Sequence, residues 1–398
     1  MKFEENIEEK EYGLVLAGGG TKGAYQVGVY KALKGMKINV KAVVGTSIGA
    51  LNGALVLQDD LEKMLNLYGS IKLNDILSID SKIDETKDIF SLKNIAKITK
   101  EYIEKRGISN DALRKTIEKY IDVDKIYNSD VDFGMITFST KNKGVELFKK
   151  DIPKEKMVDF LLASSCFPIF KSQNIDGEHF FDGGLYDNMP INMLIKKGYK
   201  NIIVVDVTGM GLKRKNASKN VYIKMIKPNE KVGGTFDFNK QQMKKNIELG
   251  YLDTLKSFNK VQGFNFYFKP NEFNKMLELF SLKTIFGLEC AAKIYGIDKY
   301  KIYEKDEFLE KLMIKYKKEL NNYKTIKKSL NIRKNNIKNI FSNSRSVLKL
   351  INKGIGITLF MDFIEQNSLF EEKILVRATF KEYIQSAKSM IELVNTVK

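Results

Sequence analysis

The chain has 398 residues but only two cysteines and one histidine. Cys166 and Cys290 are too few for a disulfide framework, and this scarcity is typical of a protein from a reducing compartment. Neither cysteine has the spacing of a zinc-binding motif. The single histidine, His179, limits the catalytic sites that the chain can build, because a Ser-His-Asp triad would have to use it.

Long apolar runs are absent as well. No stretch approaches the roughly 20 apolar residues that a membrane-spanning helix needs. Residues 1–13 are acidic and lack the apolar core of a secretory signal. We therefore expect a cytoplasmic protein without a signal peptide or a transmembrane segment. Hydrophobic residues still make up 43% of the chain, which indicates a globular protein with one large and one smaller domain.

The most informative stretch is residues 41–57, KAVVGTSIGALNGALVL. Its β-branched beginning predicts a buried strand, and its Ala- and Leu-rich end predicts a helix. Between them, Gly45-Thr46-Ser47-Ile48-Gly49 matches G-x-S-x-G, which is typical of a sharp strand-to-helix turn carrying a nucleophilic serine. The two glycines leave room for the chain to double back, and the helix N-terminus favours developing negative charge. We interpret Ser47 as a candidate nucleophile.

Strand and helix signals alternate in the first 57 residues, with a strand at residues 12–17 and a helix at residues 24–33. This order predicts an α/β fold with a parallel sheet covered by helices. Residues 59–127 lack a convincing strand, and we interpret them as a helical insertion. Further strands are expected at residues 131–139, 144–148, 179–182, 201–207, 222–226 and 264–268. The pattern after Pro270 is almost wholly helical, so we predict two domains, residues 1–270 and 271–398.

A glycine loop, GGGTKG at residues 18–23, follows the first predicted strand and contains G-x-G-x-x-G. A dinucleotide-binding loop expects an acidic residue about 20 positions later to bind the ribose, but residues 40–44 contain none. No G-K-[ST] follows, so a P-loop does not fit. Such a loop can instead form an oxyanion hole, in which successive backbone N–H groups converge on one oxygen.

A serine nucleophile needs a base. His179 and Asp182 are three residues apart in a predicted strand, so their side chains point to opposite faces and a triad is hard to build. In the simpler arrangement, a dyad, Asp182 accepts the Ser47 proton directly. A carboxylate with an ordinary pKa of about 4 is a weak base, so it must rely on burial and close placement. Gly183 and Gly184 would allow that close approach.

Three segments in this order resemble the patatin-like phospholipase family: the glycine loop, the Ser47 turn and Asp182-Gly183-Gly184. Residues 163–168, 188–190 and 204–207 also resemble the core of that family, and the resemblance covers roughly residues 10–270. It implies a three-layer α/β sandwich with a mainly parallel central sheet, and the helical C-terminal region lies outside it. It also implies hydrolysis of lipid acyl esters without a metal or cofactor.

The resemblance further implies roles for single residues. Ser47 would be the nucleophile, Asp182 the base, and Gly18, Gly19 and Gly20 the oxyanion donors. Lys22 stands where the family has Arg or Lys, and it would support the loop or meet a phosphate. The expected supporting residues are Thr21, Lys22, Gly23, Gly45, Gly49, Gly183 and Gly184.

The net charge of +18 is concentrated towards the C-terminus, where residues 311–353 contain 13 Lys or Arg and one acid. Such a balance favours anionic partners, although a compositional bias would produce it too. We expect a lipid substrate and peripheral contact with an anionic membrane, through an outward face that includes Lys315, Lys318, Arg333, Lys334 and Lys338. No zinc spacing or RNA-binding signature is present, so no nucleic acid is expected. The alternatives are an acyltransferase, or a membrane- or nucleic-acid-binding protein with a vestigial site.

Overall fold

The computed structural model describes residues 10–78, 103, 107–329, 354–366 and 380–397. These residues form two compact units, one within residues 1–257 and the other within residues 258–398. The boundary between the two units lies a short way before Pro270, and the sequence predicted a boundary near Pro270.

A mixed sheet forms the centre of the first unit. Its order is β5-β6-β3-β2-β1-β7-β8, with β4 paired to β3. β3, β2, β1, β7 and β8 are mutually parallel, whereas β4 and β6 pair antiparallel with β3, and β5 pairs antiparallel with β6. The mainly parallel sheet confirms the predicted fold class. The strands are β1 (Glu11–Leu16), β2 (Asn39–Thr46), β3 (Asp132–Ser139), β4 (Lys143–Phe148), β5 (Gln173–Ile175), β6 (Glu178–Asp182), β7 (Asn201–Val205) and β8 (Tyr222–Ile226).

Helices cover the sheet and connect its parallel strands. The central strands are therefore buried on both faces: Val15, Val44 and Val204 have no exposed surface. Residues 79–102 and 104–106 of the predicted insertion lie outside the described residues. The helices of this unit are α1 (Ala24–Gly35), α2 (Ile48–Leu57), α3 (Leu61–Ser70), α4 (Asp111–Tyr120), α5 (Val123–Asn128), α6 (Met157–Ser164), α7 (Ile191–Lys196) and α8 (Lys240–Ser257).

The second unit is mainly helical, as predicted, but it also contains a short parallel pair of strands, β9 (Tyr267–Phe268) and β10 (Ile302–Tyr303). Only the end of the strand expected at residues 264–268 forms, and β10 was not predicted because a strand of two residues shows no alternation. The helices are α9 (Pro270–Leu279), α10 (Leu282–Ile294), α11 (Lys305–Ser329), α12 (Ile355–Gln366) and α13 (Lys381–Val397).

One face of α11 packs against a core within this unit. Phe308 and Leu312 join a buried cluster with residues of α10, α12 and α13, and Tyr323 packs in a second cluster with α12. Of the basic residues expected on the outward face, Arg333, Lys334 and Lys338 lie outside the described residues. Within the described ranges, no helix combines the length and apolarity needed to cross a bilayer.

Candidate active site

Ser47 occupies the turn between β2 and α2. Its backbone has φ 56° and ψ −126°, a sparsely populated conformation for a residue with a side chain. Its carbonyl accepts the N–H of Ala50 at 2.8 Å, which starts the helix. The strand, turn and helix predicted around this serine are therefore confirmed.

The two glycines of the turn are required by space. A Cβ at Gly45 would lie 2.3 Å from the carbonyl carbon of Gly49, and a Cβ at Gly49 would lie 2.0 Å from the carbonyl oxygen of Leu16. No real Cβ makes such contacts with backbone atoms, so only glycine lets β1, β2 and α2 approach this closely.

The strand register brings Asp182 to the serine. Thr46, which precedes Ser47, pairs with Ile136 of β3, and the next residue of β3, Thr137, pairs with Asp182 at the end of β6. β3 therefore lies between the strand that carries the serine and the strand that carries the aspartate. Gly183 follows at once, and a Cβ there would lie 2.2 Å from the Ile136 carbonyl oxygen.

The Asp182 carboxylate is only 5% exposed and is held by hydrogen bonds. The Gly184 N–H donates to its Oδ1 at 2.7 Å, and the neighbouring Ser47 hydroxyl also favours its charged form. Burial raises the pKa of Asp182 to about 6, although the Ser47 hydroxyl and the Gly184 N–H act in the opposite direction. The carboxylate is therefore a stronger base than an exposed one, and it is ionised at neutral pH.

The glycine loop lies directly after β1. The Gly18 N–H donates to the Asn188 carbonyl at 3.1 Å, and the Asn188 side-chain amide donates back to the Gly18 carbonyl at 3.1 Å. Gly20 has φ 60°, and a Cβ there would lie 2.0 Å from the Thr235 carbonyl oxygen. In the part of the chain that the structure describes, no acceptor takes the N–H of Gly19 or Gly20. Of the three expected donors, Gly18 is thus already engaged and the other two remain available.

The residues after these glycines attach the loop to neighbouring segments. The Thr21 N–H donates to the Thr235 carbonyl at 2.8 Å, and the Thr21 hydroxyl accepts the Asp237 N–H at 3.1 Å. The Lys22 ammonium donates to the Thr208 carbonyl at 3.1 Å. Gly23 ends the loop where a Cβ would lie 2.4 Å from the Tyr68 hydroxyl. These contacts fit the supporting roles that the sequence suggested.

His179 lies away from the serine. It is exposed on β6, and its Nδ1 lies 2.9 Å from the Ser172 hydroxyl oxygen. Asp182 is buried on the other face of the same strand. The structure therefore does not bring a Ser-His-Asp triad together.

A narrow cavity of about 90 Å³ opens beside Ser47 and Gly20. Its walls are almost wholly apolar, which suits an alkyl chain better than a polar group. Ser165 also lines the cavity, and its hydroxyl is buried without a hydrogen-bond partner among the described residues. The apolar wall includes Ile48, Leu51, Leu67, Leu113, Phe170 and Phe236.

Two hydroxyl groups that were not predicted from the sequence fix the turn. The Ser164 hydroxyl accepts the Ser47 N–H at 3.1 Å and donates to the Ile136 carbonyl at 2.6 Å. The Thr46 hydroxyl donates to the Asp187 carbonyl at 2.8 Å. Ser164 lies in one of the segments that resemble the family core, and no other signal pointed to it.

Both cysteines are buried and form no disulfide. Burial raises the pKa of the Cys166 thiol to about 12 and that of the Cys290 thiol to about 11. Thiols with such pKa values are not nucleophiles at neutral pH. The cysteines therefore do not compete with Ser47 for the catalytic role.

Comparison with known families agrees with this geometry. Residues 14–195 match the family model described as Patatin-like phospholipase. This segment belongs to the patatin-like phospholipase family. The patatin-like segment contains the glycine loop, Ser47 and Asp182, and its match ends before β7.

Curated relatives of the patatin-like segment include two fungal proteins named Lysophospholipase NTE1. The protein of Scheffersomyces stipitis is 27% identical over 208 residues, which are 52% of this chain and 12% of the relative. The protein of Candida albicans is 26% identical over 209 residues, which are 52% of this chain and 14% of the relative. The chain therefore spans only a small part of the curated relatives that it matches.

In a structural comparison, the crystal structure of VipD from Legionella pneumophila aligns with 98% of this chain. The alignment includes 90% of the VipD chain, at 16% identity and a TM-score of 0.39. A similarity this distant carries no argument about function.

Proposed function

We propose that this chain is a serine lipid acyl hydrolase that uses Ser47 as nucleophile and Asp182 as base. The observation that carries the proposal is a buried carboxylate with a raised pKa, which the strand register brings beside the Ser47 hydroxyl at an apolar cavity. All the residues in these roles belong to the first unit, to which we assign catalysis.

In the acylation step, the Ser47 oxygen attacks the carbonyl carbon of an acyl ester while its proton moves to Asp182. Direct transfer is feasible because the hydroxyl is close enough to the carboxylate to affect its pKa. The tetrahedral intermediate then expels the alcohol, which takes the proton from Asp182 as it leaves. The product is an ester between the acyl group and Ser47.

The negative oxygen of the intermediate needs donors that are in place before the reaction. We assign this role to the N–H groups of Gly19 and Gly20, which have no acceptor among the described residues. Gly18, also expected as a donor, would instead hold the loop through its pair of bonds with Asn188. The N-terminus of α2 adds a favourable dipole at the same place.

Deacylation repeats these steps with water as the nucleophile. Asp182 takes a proton from the water, the hydroxide attacks the acyl-enzyme, and the proton returns to the Ser47 oxygen as the fatty acid leaves. An alcohol in place of water would make the same chain an acyltransferase.

Two observations support a lipid as the substrate. The cavity wall is apolar, and the curated relatives of the patatin-like segment are named lysophospholipases. We therefore propose that the cavity receives the acyl chain of a phospholipid or lysophospholipid. An anionic membrane remains the proposed partner of the chain.

The test is labelling by a fluorophosphonate probe, together with fatty-acid release from lysophosphatidylcholine. We expect Ser47→Ala to lose labelling and hydrolysis, and Asp182→Asn to lose nearly all of both, because one lacks the nucleophile and the other the base. Ser172→Ala and His179→Ala are matched controls, since the pair lies on the exposed face of the sheet, and both should keep most of the activity. A folded His179→Ala protein as inactive as Ser47→Ala would restore the triad and reject the dyad.

A further inference from the structure

Residues 209–215, here called the docking loop, carry apolar side chains that face water. Met210 is 59% exposed and Leu212 is 63% exposed, and Gly211 separates them in the chain. Leu185 is 42% exposed, and it lies one residue from Gly184, whose carbonyl accepts the Leu212 N–H at 3.0 Å. Single exposed apolar residues are common, but three that are brought together by backbone hydrogen bonds indicate a contact surface.

Positive charge surrounds these apolar side chains. Residues 208–220 contain four Lys or Arg and no Asp or Glu. Lys213 pairs with Asp206 at 2.7 Å and Arg214 with Glu146 at 3.4 Å. Lys215 and Lys219 are exposed, and no carboxylate of the described residues lies within ion-pair distance of either. The loop therefore presents exposed apolar groups together with uncompensated positive charge.

The docking loop is joined to both sides of the proposed active site. A Cβ at Gly209 would lie 1.8 Å from the Gly18 carbonyl oxygen, so the loop packs directly on the glycine loop. The Leu212 carbonyl accepts the Asn188 N–H at 2.6 Å, next to the bond from Leu212 to Gly184. A partner that contacts Met210 and Leu212 would therefore lie next to the residues that surround Ser47.

We propose that the docking loop and Leu185 are the surface through which this chain binds an anionic lipid bilayer, with Met210 and Leu212 entering the boundary between head groups and acyl chains. Lys215 and Lys219 then face the lipid phosphates. The phosphates of a nucleic acid would bind the lysines, but the phosphate backbone makes no apolar contact with exposed Met and Leu side chains. The proposal rests on the proposed function for its choice of a lipid partner.

The first experiment measures co-sedimentation of the full chain with vesicles, on the Ser47→Ala background so that no lipid is hydrolysed. We compare phosphatidylcholine vesicles with vesicles that also contain phosphatidylglycerol. Met210→Ser with Leu212→Ser should weaken binding to the anionic vesicles by about tenfold or more. The matched control is Tyr222→Ser with Met225→Ser, which removes two exposed large side chains from the edge strand β8 and should change binding less than twofold.

A second pair of changes tests the charges. Lys215→Glu with Lys219→Glu should weaken binding to anionic vesicles by at least about fivefold per residue, because each Lys or Arg near an anionic leaflet contributes about 1 kcal/mol. High salt should weaken binding of the parent and affect this variant less.

Fluorescence gives an independent measurement, because the chain contains no tryptophan. Leu212→Trp should show a blue-shifted emission when anionic vesicles are added, whereas Tyr222→Trp should show none. Since the replaced side chains are largely exposed, these variants should fold, and a thermal melt of each checks this.

Three results would overturn the proposal. The first is unchanged vesicle binding after Met210→Ser with Leu212→Ser, and the second is an unshifted emission of Leu212→Trp on bound protein. The third is tight binding of short duplex DNA that depends on Lys215 and Lys219 but not on Met210 and Leu212. All of these are measured without catalysis, so they remain distinct from a failure of the hydrolase test.

Discussion

Asp182→Asn should make the protein more stable at neutral pH while it abolishes activity. The amide oxygen can still accept the Gly184 N–H, and the amide nitrogen can donate to the Ser47 hydroxyl oxygen. The shape and the hydrogen bonds are thus nearly kept. What is removed is a negative charge buried in a site that is only 5% exposed, together with the ability to take a proton.

The magnitude follows from the raised pKa. Asp182 has a pKa of about 6 in the folded chain, against an ordinary value of 3.8. Between these pH values the folded chain binds more protons than the unfolded chain, so the free energy of unfolding falls as pH rises through this window. At about 1.36 kcal/mol per tenfold difference in acidity, the whole loss is about 3 kcal/mol. The Asp182→Asn variant does not lose this free energy of unfolding. Its free energy of unfolding should therefore exceed that of the parent by almost nothing at about pH 4 and by about 3 kcal/mol above pH 7.

The assay is urea unfolding of the parent and the variant at several pH values between about 4 and 8. Asp206→Asn is a matched control, because it removes a buried carboxylate that is paired with Lys213 at 2.7 Å and should not stabilise the chain. In parallel, hydrolysis of a soluble ester by the parent should rise with pH around 6, as Asp182 ionises. A stability difference that does not change with pH, or a variant less stable at pH 8, would refute the reasoning.

Two further predictions concern the loop and the cavity. Gly19→Ala would place a Cβ 2.6 Å from the Val207 side chain, so the loop must move, and loss of one oxyanion donor should lower the turnover number by about 10²–10³. Calorimetry on the parent is the counter-test, since micromolar affinity for NAD or ATP would favour nucleotide binding at this loop. Ser165→Ala should stabilise the chain by about 1–3 kcal/mol in urea unfolding, because it removes a buried hydroxyl that has no partner among the described residues. Destabilisation by this change would show that the hydroxyl is hydrogen-bonded after all.

Local features of the site could be predicted because their signals lie in a few consecutive residues. G-x-S-x-G between a β-branched and an Ala-rich run was enough to predict the turn at Ser47, since glycine spacing and strand and helix propensity agree there. The strand at residues 222–226 forms with the bounds that its pattern indicated.

The partners of these features could not be predicted, because they come from distant parts of the chain. The bonds between Gly18 and Asn188 join residues 170 positions apart, and they show that the first of the three glycines is engaged. The bond from Ser47 to the Ser164 hydroxyl spans 117 positions. No periodicity in a single sequence marks such pairs, since each depends on which strands become neighbours in the sheet.

The choice between dyad and triad follows from the register of β3. Thr46 pairs with Ile136, and Asp182 pairs with the adjacent Thr137, so the proposed nucleophile and the proposed base meet across one strand. A slip of β6 by one residue would turn Asp182 to the other face of the sheet, because side chains alternate. The same alternation places His179 on the exposed face, where it contacts Ser172. Register therefore both brings the carboxylate to Ser47 and keeps the histidine from it, which is why a weak base must be strengthened by burial.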